Sequence, residues 1–175
     1  MPTTAQHDLW IVDPVPAWMP VCGVLTRLGG APKHQLADPA LAAHFLGVTT
    51  DRLLQASPAL PVLPRDGTLL GALFESLVTL EVRVGAQAAE ARVGHLRTNG
   101  GEREIDLIVE RADGRVIAIE VRLTRTADDT DVRHLRWLAS QLGDRLLDAV
   151  IVTTGPVAYR RQDGVAVVPA GLLGP

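Results

Sequence analysis

The chain has 175 residues, of which 47% are hydrophobic, and this supplies one packed domain with a smaller attachment. The net charge of −3 excludes a protein that binds nucleic acid mainly through overall positive charge. No apolar run reaches the roughly 18 residues of a membrane helix, and residues 1–8 lack the basic and apolar regions of a secretory signal. The single cysteine, Cys22, cannot form an internal disulfide, so we expect a cytoplasmic protein with no membrane partner.

Residues 1–67 are predicted to form a small, mostly helical segment that ends in a linker. Asp38 has the residue type of a helix N-cap, and Pro39 suits the first helical position after it. Gly47 is expected to end this helix. The linker is marked by three prolines, Pro58, Pro61 and Pro64.

Residues 68–175 are predicted to form a second unit with the order helix, three strands, helix and two strands. A leucine stripe (Leu70, Leu73 and Leu77) predicts a long amphipathic helix from Leu69 to about Gly85. These leucines are expected to face the core. Strands are predicted over 92–98, 104–110, 115–123, 148–153 and 165–168, with a helix over 131–142. This order predicts an α/β fold, in which helices cover the faces of a mixed sheet.

Two acidic residues are expected to meet on the central hairpin. Alternation places the apolar residues of each strand on one face: Ile105, Leu107 and Val109, then Ile117, Ile119 and Val121. Asp106 then takes the other face of its strand, and Glu120 and Arg122 share the other face of the next. Neighbouring carboxylates repel each other unless a cation such as a divalent metal ion neutralises them. The alternative is that these acids are simply the solvated face of the hairpin.

These residues resemble the PD-(D/E)XK nucleases. Asp106, followed after residues 107–119 by Glu120-Val-Arg122, resembles the D…E-x-K signature of that superfamily. The stretch Gly71-Ala-Leu-Phe-Glu75 is similar to the G-x-x-x-E start found in its archaeal Holliday junction resolvases. The resemblance implies a restriction-endonuclease-like core within 68–175.

The resemblance also implies a mechanism, namely metal-assisted hydrolysis of DNA phosphodiesters. Its implied site residues are Asp106, Glu120 and Glu75 as ligands of Mg²⁺ or Mn²⁺, Arg122 at the lysine position and Arg97 as a phosphate contact. Arginine is a fixed planar donor that is not deprotonated, so the exchange at this position predicts lost or weakened catalysis. An active Mg/Mn-dependent endonuclease is the alternative.

Two features of the sequence bear on these roles. On a helical wheel Glu81, rather than Glu75, falls near the centre of the leucine stripe, so Glu81 is the competing carboxylate from the helix. Lys33 is the last lysine of the chain, so no lysine close to Glu120 in sequence compensates for Arg122.

A second resemblance covers nearly the whole chain. It is carried by Pro16-Ala-Trp18, by Pro32-Lys33-His34 with the helix start at Asp38, by Leu96-Arg97-Thr98 and by Glu104-Ile-Asp106. These stretches are similar to the C-terminal domain of unknown function that follows the ATPase module in many bacterial and archaeal AAA-type ATP-binding proteins. The resemblance implies a AAA-type ATPase or DNA as partner and leaves a homo-oligomer open. The chain has no G-x-x-x-x-G-K-[ST] motif, so no ATP site is expected in this free-standing relative or fragment.

Overall fold

A computed structural model describes residues 12–20, 25, 28–54 and 68–174, and it places them in an α/β arrangement as predicted. Cys22 and the linker prolines lie outside the described residues. The strands are β1 (Val12–Val15), β2 (Lys33–Leu36), β3 (Arg92–Arg97), β4 (Glu104–Glu110), β5 (Val116–Val121), β6 (Leu146–Thr153), β7 (Tyr159–Arg160) and β8 (Ala166–Pro169). The helices are α1 (Pro39–Phe45), α2 (Thr50–Leu54), α3 (Leu69–Ala88) and α4 (Arg133–Leu142). None of these helices combines the length and apolarity needed to cross a bilayer.

The main sheet is mixed and has the strand order β3-β4-β5-β6-β8-β7. β3, β4 and β5 form an antiparallel meander, and α4 then leads to β6, which pairs in parallel with β5. β8 pairs in parallel with β6, and the short β7, which the sequence does not predict, pairs antiparallel with β8. The meander followed by a helical crossover is therefore confirmed.

A bulge in β4 changes the predicted faces of that strand. Gly94 pairs with Ile108 and Leu96 with Ile105, so β4 carries one residue more than β3 between these pairs. The extra residue turns Ile105 into the core cluster beneath α4, while Leu107 stays in the cluster on the opposite side of the sheet. The prediction that Ile105 shares a face with Leu107 is therefore wrong, because simple alternation does not hold across a bulge.

The predicted orientation of α3 is also wrong. Leu77 is 44% exposed and Leu80 is 38% exposed, whereas Ser76 and Thr79 are buried together with the apolar residues Leu69, Val78 and Ala86. The hydroxyl of Thr79 donates to the main-chain oxygen of Glu75 at 2.8 Å, which satisfies this buried polar group. The helix therefore packs through Phe74, Val78 and Val82 together with the buried Ser76 and Thr79, and not through Leu77 and Leu80.

The N-terminal segment contains the predicted α1 and also a hairpin that the sequence does not predict. Asp38 caps α1 by accepting from the main-chain N–H of Ala40 and Leu41, and Gly47 follows with φ of +62°. β1 and β2 pair antiparallel as a separate two-stranded sheet.

The chain that follows β1 lies directly on β3. The main-chain N–H of Trp18 donates to the His95 oxygen at 2.7 Å, and the N–H of His95 donates to the Pro16 oxygen at 2.9 Å. A Cβ on the neighbouring Gly94 would lie 3.0 Å from the Pro16 oxygen, so this close approach requires glycine. The hairpin is thereby held against the sheet beside the predicted site.

Candidate active site

A cleft of about 1030 Å³ opens between the β1–β2 hairpin, the first turns of α3 and the adjoining ends of β4 and β5. All five site residues named from the sequence line this cleft: Glu75, Arg97, Asp106, Glu120 and Arg122. Glu81, the competing carboxylate on α3, does not line it. The structure therefore brings the predicted residues together, and their chemical roles stay predictions.

The start of α3 directs Glu75 into the cleft. The side chain of Thr68 caps the helix, because its hydroxyl accepts the main-chain N–H of Gly71 at 3.0 Å. A Cβ on Gly71 would lie only 3.2 Å from that hydroxyl oxygen, so glycine suits this position. Glu75 follows one turn later, on the side of the helix that carries the buried Ser76 and Thr79.

Lys33 is the functional side chain that the sequence did not predict. Its Nζ lies 3.2 Å from Oε1 of Glu75, 3.0 Å from Oε1 of Glu104 and 3.1 Å from Oδ1 of Asp106. We call the four carboxyl groups of the site, those of Glu75, Glu104, Asp106 and Glu120, the acidic cluster. Lys33 comes from β2 and contacts three members of this cluster, Glu75, Glu104 and Asp106.

The β1–β2 hairpin fixes the position of Lys33. Lys33 pairs with Val15, which is completely buried against the sheet. Arg83 of α3 binds Asp13 of β1 and donates to the Pro14 oxygen at 2.9 Å. These contacts hold the hairpin between α3 and β3, with the start of β2 at the acidic cluster.

Asp106 is surrounded by donors. Its Oδ2 accepts the main-chain N–H of Val121 at 2.9 Å and lies 3.3 Å from Nη1 of Arg122, while Oδ1 faces Lys33. Burial opposes ionisation of this carboxyl group, but the charges of Lys33 and Arg122 and the N–H of Val121 outweigh it and hold the pKa of Asp106 below its usual value. Asp106 is therefore an anion at neutral pH.

The pKa of Glu120 is shifted in the opposite direction to that of Asp106. Its side chain is 1% exposed, one oxygen lies 2.8 Å from Nη2 of Arg122, and the buried Oε1 has no hydrogen-bond partner among the described residues. Burial, reinforced by the negative charge of Asp106, raises the pKa of Glu120 to about 9. The two facing carboxyl groups therefore differ in protonation at neutral pH, with Asp106 charged and Glu120 neutral.

The pKa of Glu75 is raised, as is that of Glu120. Burial and the charge of Asp106 raise its pKa, although Lys33 opposes the shift. Nε2 of Gln35 also donates to Oε1 of Glu75 at 3.2 Å, so β2 holds this carboxyl group through two side chains.

Arg122 bridges three carboxyl groups instead of projecting freely into the cleft. Its nitrogens lie 3.3 Å from Asp106, 2.8 Å from Glu120 and 3.3 Å from Asp131, a residue in the segment before α4. It also donates to the Val121 oxygen at 2.8 Å. A lysine has a single nitrogen and could not make all of these contacts at once.

The remaining wall of the cleft is polar. Nε of Arg97 lies 3.8 Å from Oε2 of Glu104, and about a third of the Arg97 side chain stays exposed. Nδ1 of His134 lies 2.7 Å from the main-chain oxygen of Glu104 and 3.7 Å from Oε1 of Glu120. Burial lowers the pKa of His134, so this ring is neutral at physiological pH. Only the fold brings this histidine beside Glu120, because the two residues lie on different elements.

The nuclease resemblance implies a divalent metal ion at this site. Carboxylate oxygens are suitable ligands for Mg²⁺ or Mn²⁺, and the unpaired Oε1 of Glu120 offers one such donor. Within the part of the chain that the structure describes, no three His, Cys, Asp or Glu side chains converge as metal ligands. Nζ of Lys33 lies between the oxygens of Glu75, Glu104 and Asp106. The neighbouring carboxylates therefore supply the donor type that a divalent ion takes, but as placed they form no metal site, and Lys33 holds three of them.

Comparison with known protein families identifies a matching family. The family described as a domain of unknown function, DUF4143, matches residues 70–173, which is more than half of the chain. The matched range covers the six-stranded sheet and every site residue named from the sequence, and it leaves out Lys33 and the β1–β2 hairpin. A comparison with proteins of curated function finds no match.

Proposed function

Because the chain belongs to the DUF4143 family, whose function is unknown, we propose its activity from the cleft: it is a nuclease-like, DNA-associated domain with weak phosphodiester hydrolysis that depends on Mg²⁺ or Mn²⁺. The observation that carries this proposal is the unequal pair of Asp106 and Glu120, charged and neutral, in the lining of one cleft. Paired carboxyl groups whose environments separate their pKa values are typical of catalytic sites.

The arrangement of elements supports the same proposal. Glu75 comes from the helix before the meander, Asp106 from its second strand, and Glu120 and Arg122 from its third. This is the order expected of a PD-(D/E)XK core. The elements converge at one end of the sheet, where their side chains line the same cleft.

Each residue has a distinct task in this proposal. Asp106, Glu120 and Glu75 would hold the metal ion, which when bound lowers the pKa of water and stabilises the leaving oxygen. Arg97 is partly exposed and has one carboxylate at 3.8 Å, so it is available to position a phosphate of the DNA backbone. Arg122 holds the carboxyl groups of Asp106 and Glu120 in place. Since Arg122 and Lys33 already neutralise the cluster, the hydrolysis is expected to be weak.

A second candidate function is a module that keeps the fold without catalysis and serves DNA binding or assembly with a AAA-type ATPase. The contacts of Arg122 favour it, because one guanidinium group contacts the carboxyl groups of Asp106, Glu120 and Asp131. Networks of this kind also occur where only structure is required.

The test is cleavage of supercoiled plasmid and of a four-way DNA junction by the full chain, in Mn²⁺, in Mg²⁺ and in EDTA. Slow metal-dependent nicking that is lost in Asp106→Asn and Glu120→Gln supports the first candidate. Glu75→Gln is compared with Glu81→Gln, a matched change on the same helix outside the cleft, and only the former should reduce the rate. Nicking unaffected by Asp106→Asn would overturn the proposal, and DNA binding without any cleavage would favour the second candidate.

A further inference from the structure

We propose that Lys33 is a tethered cation that occupies the acidic cluster in competition with a divalent metal ion. This inference rests on the proposed function, because it takes the ligand of the cluster to be such an ion. It assigns a regulatory role to the β1–β2 hairpin, which lies outside the matched family range of 70–173.

The first argument is the position of the ammonium group. Nζ of Lys33 lies at 3.0–3.2 Å from one oxygen each of Glu75, Glu104 and Asp106, which come from α3 and from β4. Carboxylates from separate elements repel one another at one point unless a positive charge or a bound proton offsets the repulsion. In the metal-free protein that charge is the ammonium group of Lys33.

The second argument is a carboxylate oxygen that has no cation or hydrogen-bond donor as partner in the described part of the chain. Oε1 of Glu120 is buried without a hydrogen-bond partner among the described residues, in a side chain that is 1% exposed. A buried unpaired oxygen is unfavourable unless a ligand satisfies it. Neither Lys33 nor Arg122 contacts this atom, so the cluster has more binding capacity than its internal cations use.

The third argument is that Lys33 can give way to a metal ion by movement of its side chain alone. The main chain of the hairpin is held by Arg83 through Asp13 and Pro14, and by the hydrogen bonds between Trp18 and His95. The Lys33 side chain itself is 20% exposed and borders the open cleft. It can therefore swing out of the cluster on its flexible four-carbon stem without moving the hairpin.

Lys33 and Arg122 are not equivalent in this respect. Arg122 is tied to Asp131 and to the Val121 oxygen, which both lie outside the acidic cluster, so it stays in place when a further cation arrives. Lys33 has ionic partners only within the cluster among the described residues. Its partners are therefore the very groups for which a metal ion would compete.

The protonation of Lys33 supports competition by charge. Burial disfavours the ammonium form, but the negative charges of Asp106, Glu75 and Glu104 outweigh it and keep the pKa of Lys33 above its usual value. Lys33 therefore stays positively charged at physiological pH, and loss of its proton does not open the site.

The experiment is titration of the full chain with Mn²⁺, followed by calorimetry and by the electron paramagnetic resonance signal of the free ion. Lys33→Met removes the charge while keeping a long side chain, Lys33→Arg keeps the charge, and Arg115→Met removes a charge on a turn outside the cleft. We expect Lys33→Met to bind Mn²⁺ at least tenfold more tightly than the wild type, and the other two variants to gain nothing. Lys33→Gln replaces Lys33→Met in the comparison if the latter fails to fold, as judged by circular dichroism.

The outcomes separate this inference from the proposed function. If Lys33→Met binds Mn²⁺ no more tightly than the wild type while the wild type nicks DNA, the competition is overturned and the nuclease proposal stands. If Lys33→Met binds Mn²⁺ tightly but no variant cleaves DNA, the competition stands and the nuclease proposal falls. If neither protein binds Mn²⁺, both are overturned.

Discussion

The ammonium nitrogen of Lys33 lies 3.1 Å from Oδ1 of Asp106, although the two residues are 73 positions apart in the chain. The contact joins the N-terminal segment to the second strand of the main meander. The site therefore takes Lys33 from one side of the predicted boundary at residues 67 and 68 and its carboxyl groups from the other. The division into 1–67 and 68–175 stays a prediction, and residues from both parts line the cleft.

Replacing Lys33 by methionine should lower the stability of the metal-free protein. The change leaves Glu75, Glu104 and Asp106 facing one another without the ammonium group that separates them. Breaking a buried ion pair costs about 3–5 kcal/mol, and the partial exposure of this cluster reduces the expected loss to about 2 kcal/mol. Urea denaturation at neutral pH measures the loss, and Lys33→Arg should retain most of the wild-type value. Equal stability of Lys33→Met and the wild type would contradict the ionic role given to this side chain.

The protonation of Glu120 predicts a pH dependence of stability. Its pKa is about 9 in the folded protein and near its usual value of 4.5 in the unfolded chain. Between these values the folded state holds a proton that the unfolded state has released, so the free energy of unfolding falls as pH rises. The slope from this one group is at most about 1.4 kcal/mol per pH unit.

Glu120→Gln tests this dependence, because glutamine imitates the neutral carboxyl group at every pH. The stability of the variant relative to the wild type should increase steadily between pH 5.5 and pH 8.5. His95 is present in both proteins, so its lowered pKa cancels in the difference. A difference that does not change with pH would mean that Glu120 is ionised in the folded protein.

The close approach of the hairpin to β3 predicts that Gly94→Ala is destabilising. The new Cβ would lie 3.0 Å from the Pro16 oxygen and 3.1 Å from Cβ of Trp18, and backbone cannot give way cheaply there. Overpacking of this kind costs typically about 1–3 kcal/mol. The shift should also displace Lys33, so Gly94→Ala is expected to bind Mn²⁺ more tightly than the wild type does.

Gly85→Ala is the matched control for that change. Gly85 lies inside α3, and nothing is within 4 Å of a Cβ built on it. Alanine in a helix interior is more favourable than glycine by about 1 kcal/mol, so this variant should be slightly stabilised. Thermal unfolding measures the stability of the two variants. Similar losses of stability in both would contradict the claim that close packing against Pro16 and Trp18 requires glycine at position 94.

The sequence predicted those parts of the site that depend on local pattern. Glu120 and Arg122 follow from the alternation of Ile117, Ile119 and Val121, which do share one core cluster. Asp106 was placed beside Glu120 by the short β4–β5 turn, and the observed pairing of Leu107 with Ile119 agrees with that register. These features involve neighbours in sequence or on one hairpin, where periodicity carries the information.

The sequence did not predict features set by contacts between distant segments. Lys33 lies on a strand of four residues with no visible periodicity, and its partners follow it by 42 positions or more. The signal that could have drawn attention to it was the presence of the chain's only lysine in a stretch that carried the family resemblance. The helical wheel of α3 predicted the wrong buried face for another reason. Thr79 satisfies its hydroxyl within the helix and is buried, while Leu77 and Leu80 are left partly exposed.

Arg122→Lys is expected to lower stability and to raise any nuclease activity. A single ammonium group cannot contact Asp106, Glu120 and Asp131 together, so the loss of charged hydrogen bonds should cost about 1–2 kcal/mol of unfolding free energy. The same loosening leaves Asp106 and Glu120 freer to bind a metal ion, and a lysine matches the nuclease signature. Arg115→Lys, on an exposed turn ion pair, should change stability by less than about 0.5 kcal/mol. Plasmid nicking in Mn²⁺ compares the two variants with the wild type. If Arg122→Lys nicks DNA no faster than the wild type despite an open network, the arginine at this position is not what weakens catalysis.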